Sequence, residues 1–147
     1  MSFQLKNFNE LSNQQMYKIL QQRTQVFVVE QNCPYLEVDG KDEASLHLFK
    51  EVDGVIAAYC RLLPPGISYE EASIGRVLVH ESFRGQGLAE TMMKQAIQYI
   101  VETMQQPTIK IQAQSYLEKF YSSLGFEKIS EEYLEDNIPH IDMRLKK

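Results

Sequence analysis

The sequence predicts an α/β fold, a mixed central β-sheet with helices on both faces. Three observations predict it. The periodic segments run in the order helix, β-hairpin, then β–α–β–α–β–β. A glycine-rich turn, Arg84-Gly85-Gln86-Gly87, joins a strand pattern to a long amphipathic helix. Apolar residues make up 44% and charged ones 24% of the 147 residues, values at which a chain buries a real core. That length predicts one domain over residues 1–147.

Each element has a local reason. Ser12-Asn13-Gln14-Gln15 fits a capping box, in which the serine hydroxyl takes an orphan N–H and the glutamine reaches back. Met16, Ile19, Leu20, Arg23, Val26 and Phe27 follow at helical spacing, and the helix should fade near Val28-Val29. Residues 32–43 are polar and punctuated by Cys33-Pro34 and Asp39-Gly40, so they read as a loop carrying Glu37, Asp39, Asp42 and Glu43. Strand-like runs at 45–50 and 55–63 join through Asp53-Gly54, a pair suited to a tight hairpin because both residues accept positive φ. Pro64-Pro65-Gly66 closes the second run, and 73–79 reads as a third strand. Leu88, Met92, Met93, Ala96, Ile97, Ile100, Val101 and Met104 form one apolar face of a helix ending before Pro107. Residues 108–113 are β-prone. Tyr116, Leu117, Phe120 and Leu124 mark another helix, with Gly125 as its left-handed C′ residue. Residues 126–130 and 141–145 read as two last strands around a polar connection.

Charge and composition exclude several classes. The net charge of −5 and the lack of a basic stripe argue against nucleic acid as a partner. No run approaches the ~18–20 apolar residues of a membrane span, and the opening residues do not resemble a signal peptide, so no membrane association and a cytoplasmic location are expected. Cys33 and Cys60 are too few for a disulfide scaffold, and the scattered histidines offer no ligand cluster, so no metal is expected.

The loop from Arg84 to Ala89 is the most informative segment. A strand feeding a glycine turn at a helix N-terminus makes an anion site, because backbone N–H groups converge there and the helix end adds partial positive charge. One such end favours an anion by only ~0.3–1 kcal/mol, so several contacts must act together. A P-loop needs Lys-Ser/Thr after its glycines, and Leu88-Ala89 stands there instead. A dinucleotide fingerprint wants a third glycine where Glu90 stands. The pattern Arg-x-x-Gly-x-Gly/Ala, suited to the pyrophosphate of coenzyme A, is met by Arg84, Gly87 and Ala89. A plain glycine turn ahead of a core helix is the competing reading.

One strand and one helix further on comes Phe120-Tyr121-Ser122-Ser123-Leu124-Gly125-Phe126. The glycine loop, long helix, strand and Tyr-x-x-x-Gly-Phe helix, in this order, resemble the GCN5-related N-acetyltransferase (GNAT) superfamily. The stretches Val26–Tyr35, Ile74-Gly75-Arg76-Val77 and Glu135–Ile141 resemble its ElaA-like branch, extending the likeness over nearly the whole chain. The resemblance implies the GNAT-like acyl-CoA N-acyltransferase fold and transfer of an acetyl group from acetyl-CoA to a primary amine by direct attack. It further implies that Val77, Leu78 and Val79 bind the pantetheine arm through their backbone. Arg84, Gly85, Gln86, Gly87, Leu88 and Ala89 would cradle the pyrophosphate, Gln114 would contact the coenzyme where the family usually has Asn, and Tyr121 would protonate the departing thiolate.

The general base is not given by the resemblance. Where some relatives carry Glu on the strand before the tyrosine helix, this chain has Ile109. A lysine-like amine of pKa ~10.4 is neutral in only about one molecule in 2,500 at pH 7, a penalty of roughly 4–5 kcal/mol. His140 and Glu30 are the candidates to supply the base, with Glu37 behind them; His47 and His80 are expected to be structural or exposed. Glu37, Asp39, Asp42 and Glu43, with Glu135 and Asp136, are expected either to frame a cationic amine or to be solvated surface. Arg76 and Arg61 interrupt apolar strands, so Arg76 is expected to meet a buried carboxylate or line the cleft. The alternatives to acetyl transfer are a non-catalytic acyl-CoA sensor and transfer of another acyl group; the acyl-homoserine-lactone synthases share the fold but are longer. A homodimer through an exposed final strand is a further expectation.

Overall fold

The computed structural model describes residues 3–147; Met1 and Ser2, part of the stretch read above for a signal peptide, lie outside the described residues. Eight strands and three α-helices follow in the order β1 (Gln4–Asn7), α1 (Asn13–Arg23), β2 (Leu46–Val52), β3 (Val55–Leu63), β4 (Ser73–Val79), α2 (Leu88–Gln98), β5 (Thr108–Gln114), α3 (Glu118–Ser123), β6 (Glu127–Lys128), β7 (Tyr133–Glu135) and β8 (Ile138–Lys146). Both long helices run on into a widened π-helical segment, Thr24–Glu30 after α1 and Tyr99–Thr103 after α2.

The sheet is two antiparallel halves. One has the order β1-β2-β3-β4, and the other β5-β8-β6 with β7 also on β8. They meet through one parallel bridge, Ala72 with Ile109, where Lys110 N–H donates to the Ala72 carbonyl at 2.9 Å. Beyond that bridge β4 and β5 have no ladder between them, and a cleft opens.

A bulge shapes the cleft wall. In the β3–β4 ladder Gly75 pairs with Arg61 and Leu78 with Tyr59, so Arg76 and Val77 together stand opposite Cys60 alone. Arg76 takes φ 52°, a left-handed value that costs a non-glycine residue energy.

Packing follows the alternation of the strands. Phe49, Ile56, Tyr59 and Leu78 point to one face and meet Ile19 of α1 and Val26. Leu48, Ala58, Cys60, Leu62 and Ile74 point to the other, where Met92, Met93, Ala96 and Ile97 of α2 and Tyr121 of α3 cover them. Helices therefore lie on both faces, as the order of segments predicts. The Ser12 capping box forms, with Gln15 N–H donating to Ser12 Oγ at 3.0 Å and Ser12 N–H to Gln15 Oε1 at 3.0 Å. Asp53 and Gly54 both take positive φ, 50° and 77°, at the β2–β3 turn.

Three expectations change. The segment over residues 3–11 contains β1, too short and too weakly periodic to stand out. The polar connection after β6 contains β7, whose hairpin to β8 turns at Asp136 and Asn137, both at positive φ. The final strand is not an exposed edge open to a dimer partner. β8 is interior, with β5 along one side and β6 and β7 along the other.

Gly125 takes φ 104°, and a Cβ added there would meet Leu145 Cδ1 at 3.3 Å. Gly125→Ala is expected to cost about 1–3 kcal/mol, read as a lower urea midpoint at unchanged slope.

Candidate active site

The glycine loop presents bare backbone. Gly85 and Gly87 stand at φ 81° and 77°, and a Cβ added to either would meet no protein atom within 4 Å. Gly87 is the N-cap of α2 and has no side chain to cap it, so the N–H groups of the first turn are left for a ligand. Arg84 is held over this end by donating from Nε to the Val79 carbonyl at 2.9 Å and from Nη2 to Glu30 Oε1 at 2.7 Å.

A cleft of about 600 Å³ runs from this loop along β4, lined by Val77, Leu78, Val79, Arg84, Gly85, Gly87, Leu88 and Ala89. Gln114, Phe83, Tyr116, Leu117 and Phe120 complete it. The Leu78 side chain is buried in the core against Ile19 and Phe49, so Leu78 has only its backbone to offer the cleft. Gln86 is exposed and is not among the lining residues. Uncapped N–H groups at the start of α2, Arg84 beside them and an apolar wall along β4 suit a pyrophosphate with an apolar arm, so the residues present fit an acyl-CoA.

A second cavity, of about 470 Å³, lies on the other side of the opening. Tyr121 and His140 line it, together with Tyr35, Lys41, Ser68, Tyr69, Glu135 and Asp136. Phe27, Gln31, Val77 and Gln114 line both cavities, so the two meet there. Burial pushes the Tyr121 phenol well above its ordinary value, which keeps it protonated and able to donate. His140 Nδ1 lies 2.7 Å from the Ile138 carbonyl oxygen, which can only accept. Nδ1 therefore carries the proton, and Nε2 keeps a lone pair while the ring is neutral. Its ring stacks on Tyr133 at 6.4 Å. Glu30, the other base candidate, lies on the coenzyme side, paired with Arg84.

Behind the acceptor-side wall runs a closed ring of ions. Arg23 Nε donates to Glu37 Oε2 at 2.7 Å, and Arg76 Nε to the same oxygen at 2.7 Å. Arg76 Nη2 reaches Asp39 Oδ2 at 3.3 Å, and Arg61 Nη2 reaches it at 2.8 Å. Arg61 Nη1 donates to Asp42 Oδ1 at 3.0 Å, and Arg23 Nη1 closes the circuit on Asp42 Oδ1 at 2.7 Å. Tyr35 Oη donates to the remaining Glu37 oxygen at 2.7 Å. Burial alone would raise the Asp39 carboxyl, but hydrogen bonds and charge from Arg61 outweigh it and hold it below the usual carboxylate range. Asp42 is lowered in the same way, with Arg23 as its main partner.

The ring corrects the expectation for the acidic loop. Glu37, Asp39 and Asp42 are not free surface carboxylates, because each is engaged by two arginines. Glu37 is thereby removed as a base, and Glu43 is exposed outside the cavity lining. Of that set Asp39, Glu135 and Asp136 line the cavity, and Asp39 does so with its carboxylate already paired to Arg61 and Arg76. Arg76 meets a buried carboxylate and lines the cavity as well. His47 is buried between the Tyr59 hydroxyl at 2.6 Å and the Asp42 carbonyl at 3.0 Å, and His80 accepts from Ser82 N–H at 3.0 Å; both are structural. Phe27, Gln31, Tyr35 and Lys41 are wall residues that sequence reasoning gave no role. The first three sit in the Val26–Tyr35 stretch that carries the ElaA-like resemblance. Among the described residues no group of three or more His, Cys, Asp or Glu is placed to hold a metal ion, and no helix is long and apolar enough to cross a membrane.

A strand-lined coenzyme cleft meeting a polar cavity across a splayed sheet defines the acyl-CoA N-acyltransferase class of fold. The sequence profile of the acetyltransferase (GNAT) domain matches residues 3–147, and the chain belongs to that family. The crystal structure of an acyl-CoA N-acyltransferase from Pseudomonas aeruginosa is 41% identical and superposes with a TM-score of 0.92, covering 98% of each chain. The crystal structure of Escherichia coli ElaA is 37% identical with a TM-score of 0.92, covering 99% of this chain and 100% of that one. A UPF0039 protein of Schizosaccharomyces pombe is 40% identical over 148 residues, 99% of this chain and 97% of its own. Proteins of this fold bind acyl-CoA, and the enzymes among them act on amine acceptors.

Because folding lowers the Asp39 and Asp42 pKa values, their contribution is complete above an unfolded value of ~3.9 and is lost as pH falls through the folded values. The denaturation midpoint is expected to drop steeply as pH falls from about 5 to 2. Arg61→Met leaves burial less opposed, so its midpoint should fall less over the same range.

Proposed function

We propose that this protein is an N-acetyltransferase that moves the acetyl group of acetyl-CoA to a primary amine by direct attack. The observation that carries this reading is the meeting of the two cavities at Phe27, Gln31, Val77 and Gln114. A donor cradle opens on one side of that junction, and a phenol and an imidazole line the other.

The backbone along Val77–Val79 and the glycine loop hold the donor, with Arg84 kept in place by Glu30. A β4 N–H polarises the thioester carbonyl and stabilises the oxygen that becomes negative on attack. His140, through Nε2, takes the proton that the amine must lose. As the N–C bond forms and the C–S bond breaks, the sulfur leaves with the electron pair, and Tyr121 gives it a proton. The buried Tyr121 phenol suits this work, since a protonated phenol is an acid that costs no charge to keep in the wall. Gln114 at the junction positions the arm of the donor.

Two variants test the reading. Gly87→Asp puts a carboxylate against the pyrophosphate cradle, so calorimetric acetyl-CoA binding is expected to be lost while the fold persists; unchanged affinity would remove the loop from the site. Tyr121→Phe is expected to keep acetyl-CoA affinity and lower kcat by ~10²-fold. Unchanged turnover in that variant would take Tyr121 out of the mechanism.

A further inference from the structure

Once the ring has neutralised its own members, the charges left facing the acceptor cavity are few. Arg23, Arg61 and Arg76 balance Glu37, Asp39 and Asp42. Lys41 remains, and so do Glu135 and Asp136. Lys41 is partly buried, and among the described residues no carboxylate forms an ion pair with its ammonium; Nζ instead donates to Ser68 Oγ at 2.8 Å. The flanking aspartates are already engaged, Asp42 by Arg23 and Arg61, and Asp39 by two guanidinium groups and by the Lys41 N–H at 3.1 Å.

The backbone around Lys41 is fixed on both sides. Its N–H is bound by Asp39, and its carbonyl accepts from Ser45 Oγ at 2.7 Å. The ammonium is thus aimed by the same loop that the ionic ring pins down. On the same wall, Arg61 Nε is buried without a hydrogen-bond partner. A partly desolvated ammonium beside a hydroxyl, with spare donors around it, is a receptor for an anionic oxygen. Glu135 and Asp136 are exposed at the turn of the β7–β8 hairpin and face the same cavity as His140. They attract a cation before it gives up its proton.

We infer that the acceptor is a small zwitterion, a primary amine that also carries a carboxylate, with the carboxylate received by Lys41 and Ser68. The inference rests on the acyl-transfer reading and deepens it: an amine alone would leave Lys41 uncompensated, and a polyamine would place a second cation beside it. A cavity of about 470 Å³ has room for an amino acid or a longer amino-carboxylate.

Thiol release at saturating acetyl-CoA is measured for β-alanine, γ-aminobutyrate and ε-aminocaproate, each against the alkylamine of equal length, with cadaverine as the dication. At least one amino-carboxylate is expected to exceed its alkylamine partner in kcat/KM by ~10-fold or more, as for a hydrogen bond to a charged group. Lys41→Met keeps the side-chain length and removes the charge. It should abolish that preference through KM, with acetyl-CoA affinity retained. Turnover of alkylamines or cadaverine with no preference for a carboxylate overturns the inference and leaves the acyltransferase reading standing, as does a preference that survives Lys41→Met. If no amine turns over, the amino-carboxylates are titrated into the coenzyme A complex. Binding that depends on Lys41 then supports the pocket and counts against transfer, and absence of binding overturns the inference.

Discussion

The ring of three arginines and three carboxylates is the constraint on which the rest of the site depends. It joins α1 through Arg23, β3 through Arg61, the β4 bulge through Arg76, and the 37–42 loop through its acids. Buried ions are costly to desolvate, and a hydrophobic cluster of similar volume is often as stable. What an ionic ring supplies instead is direction: each guanidinium has a fixed fork, and each carboxylate here accepts from two of them. The loop can therefore lie in one way only, and removing any one member leaves a neighbouring charge uncompensated.

The bulge shows what that direction achieves. A non-glycine residue at φ 52° is held there because Arg76 is fastened to Glu37 and Asp39 and lies over the rings of Tyr35 at 5.5 Å and Phe27 at 6.0 Å. With Arg76 and Val77 opposite one residue of β3, β4 is bent just where the sheet must part. The two sheet halves keep one parallel contact and separate beyond it. The opening is then flanked by strand backbone, which is the surface that an extended donor requires. The same ring engages three acids with arginines and leaves the Lys41 ammonium without an ion pair among the described residues.

Legibility differed sharply between the two sides of the site. The donor side rests on local chemistry: glycines at positive φ, an uncapped helix start and a strand before it lie within one stretch of chain, so the loop can be read from its letters. Tyr121 stands out only through the family resemblance that the Tyr-x-x-x-Gly-Phe motif carries, because a tyrosine on a helix face has no local signal of its own. The second cavity is assembled from the π-helical segment after α1 with the neighbouring 37–42 loop, the 68–69 turn and the β7–β8 hairpin, three regions far apart in the chain. Lys41 carries no local signal at all, and Glu37 looks the same in sequence whether it is solvated or buried between two arginines.

By itself the sequence determined the order of elements from α1 to α3, the helices on both faces of the sheet, the Ser12 cap, the β2–β3 turn and the glycine turn ahead of α2. Periodicity, capping and turn chemistry act over a few residues and leave marks that survive without a partner. The tertiary structure alone decided that β8 is interior, that the sheet splits after Ala72, and that the acidic loop turns inward to make ions instead of outward to make a binding surface. Those outcomes depend on which charges and edges meet across long separations. A carboxylate's role is set by what lies within about 3 Å of it, and only the folded chain specifies that neighbourhood.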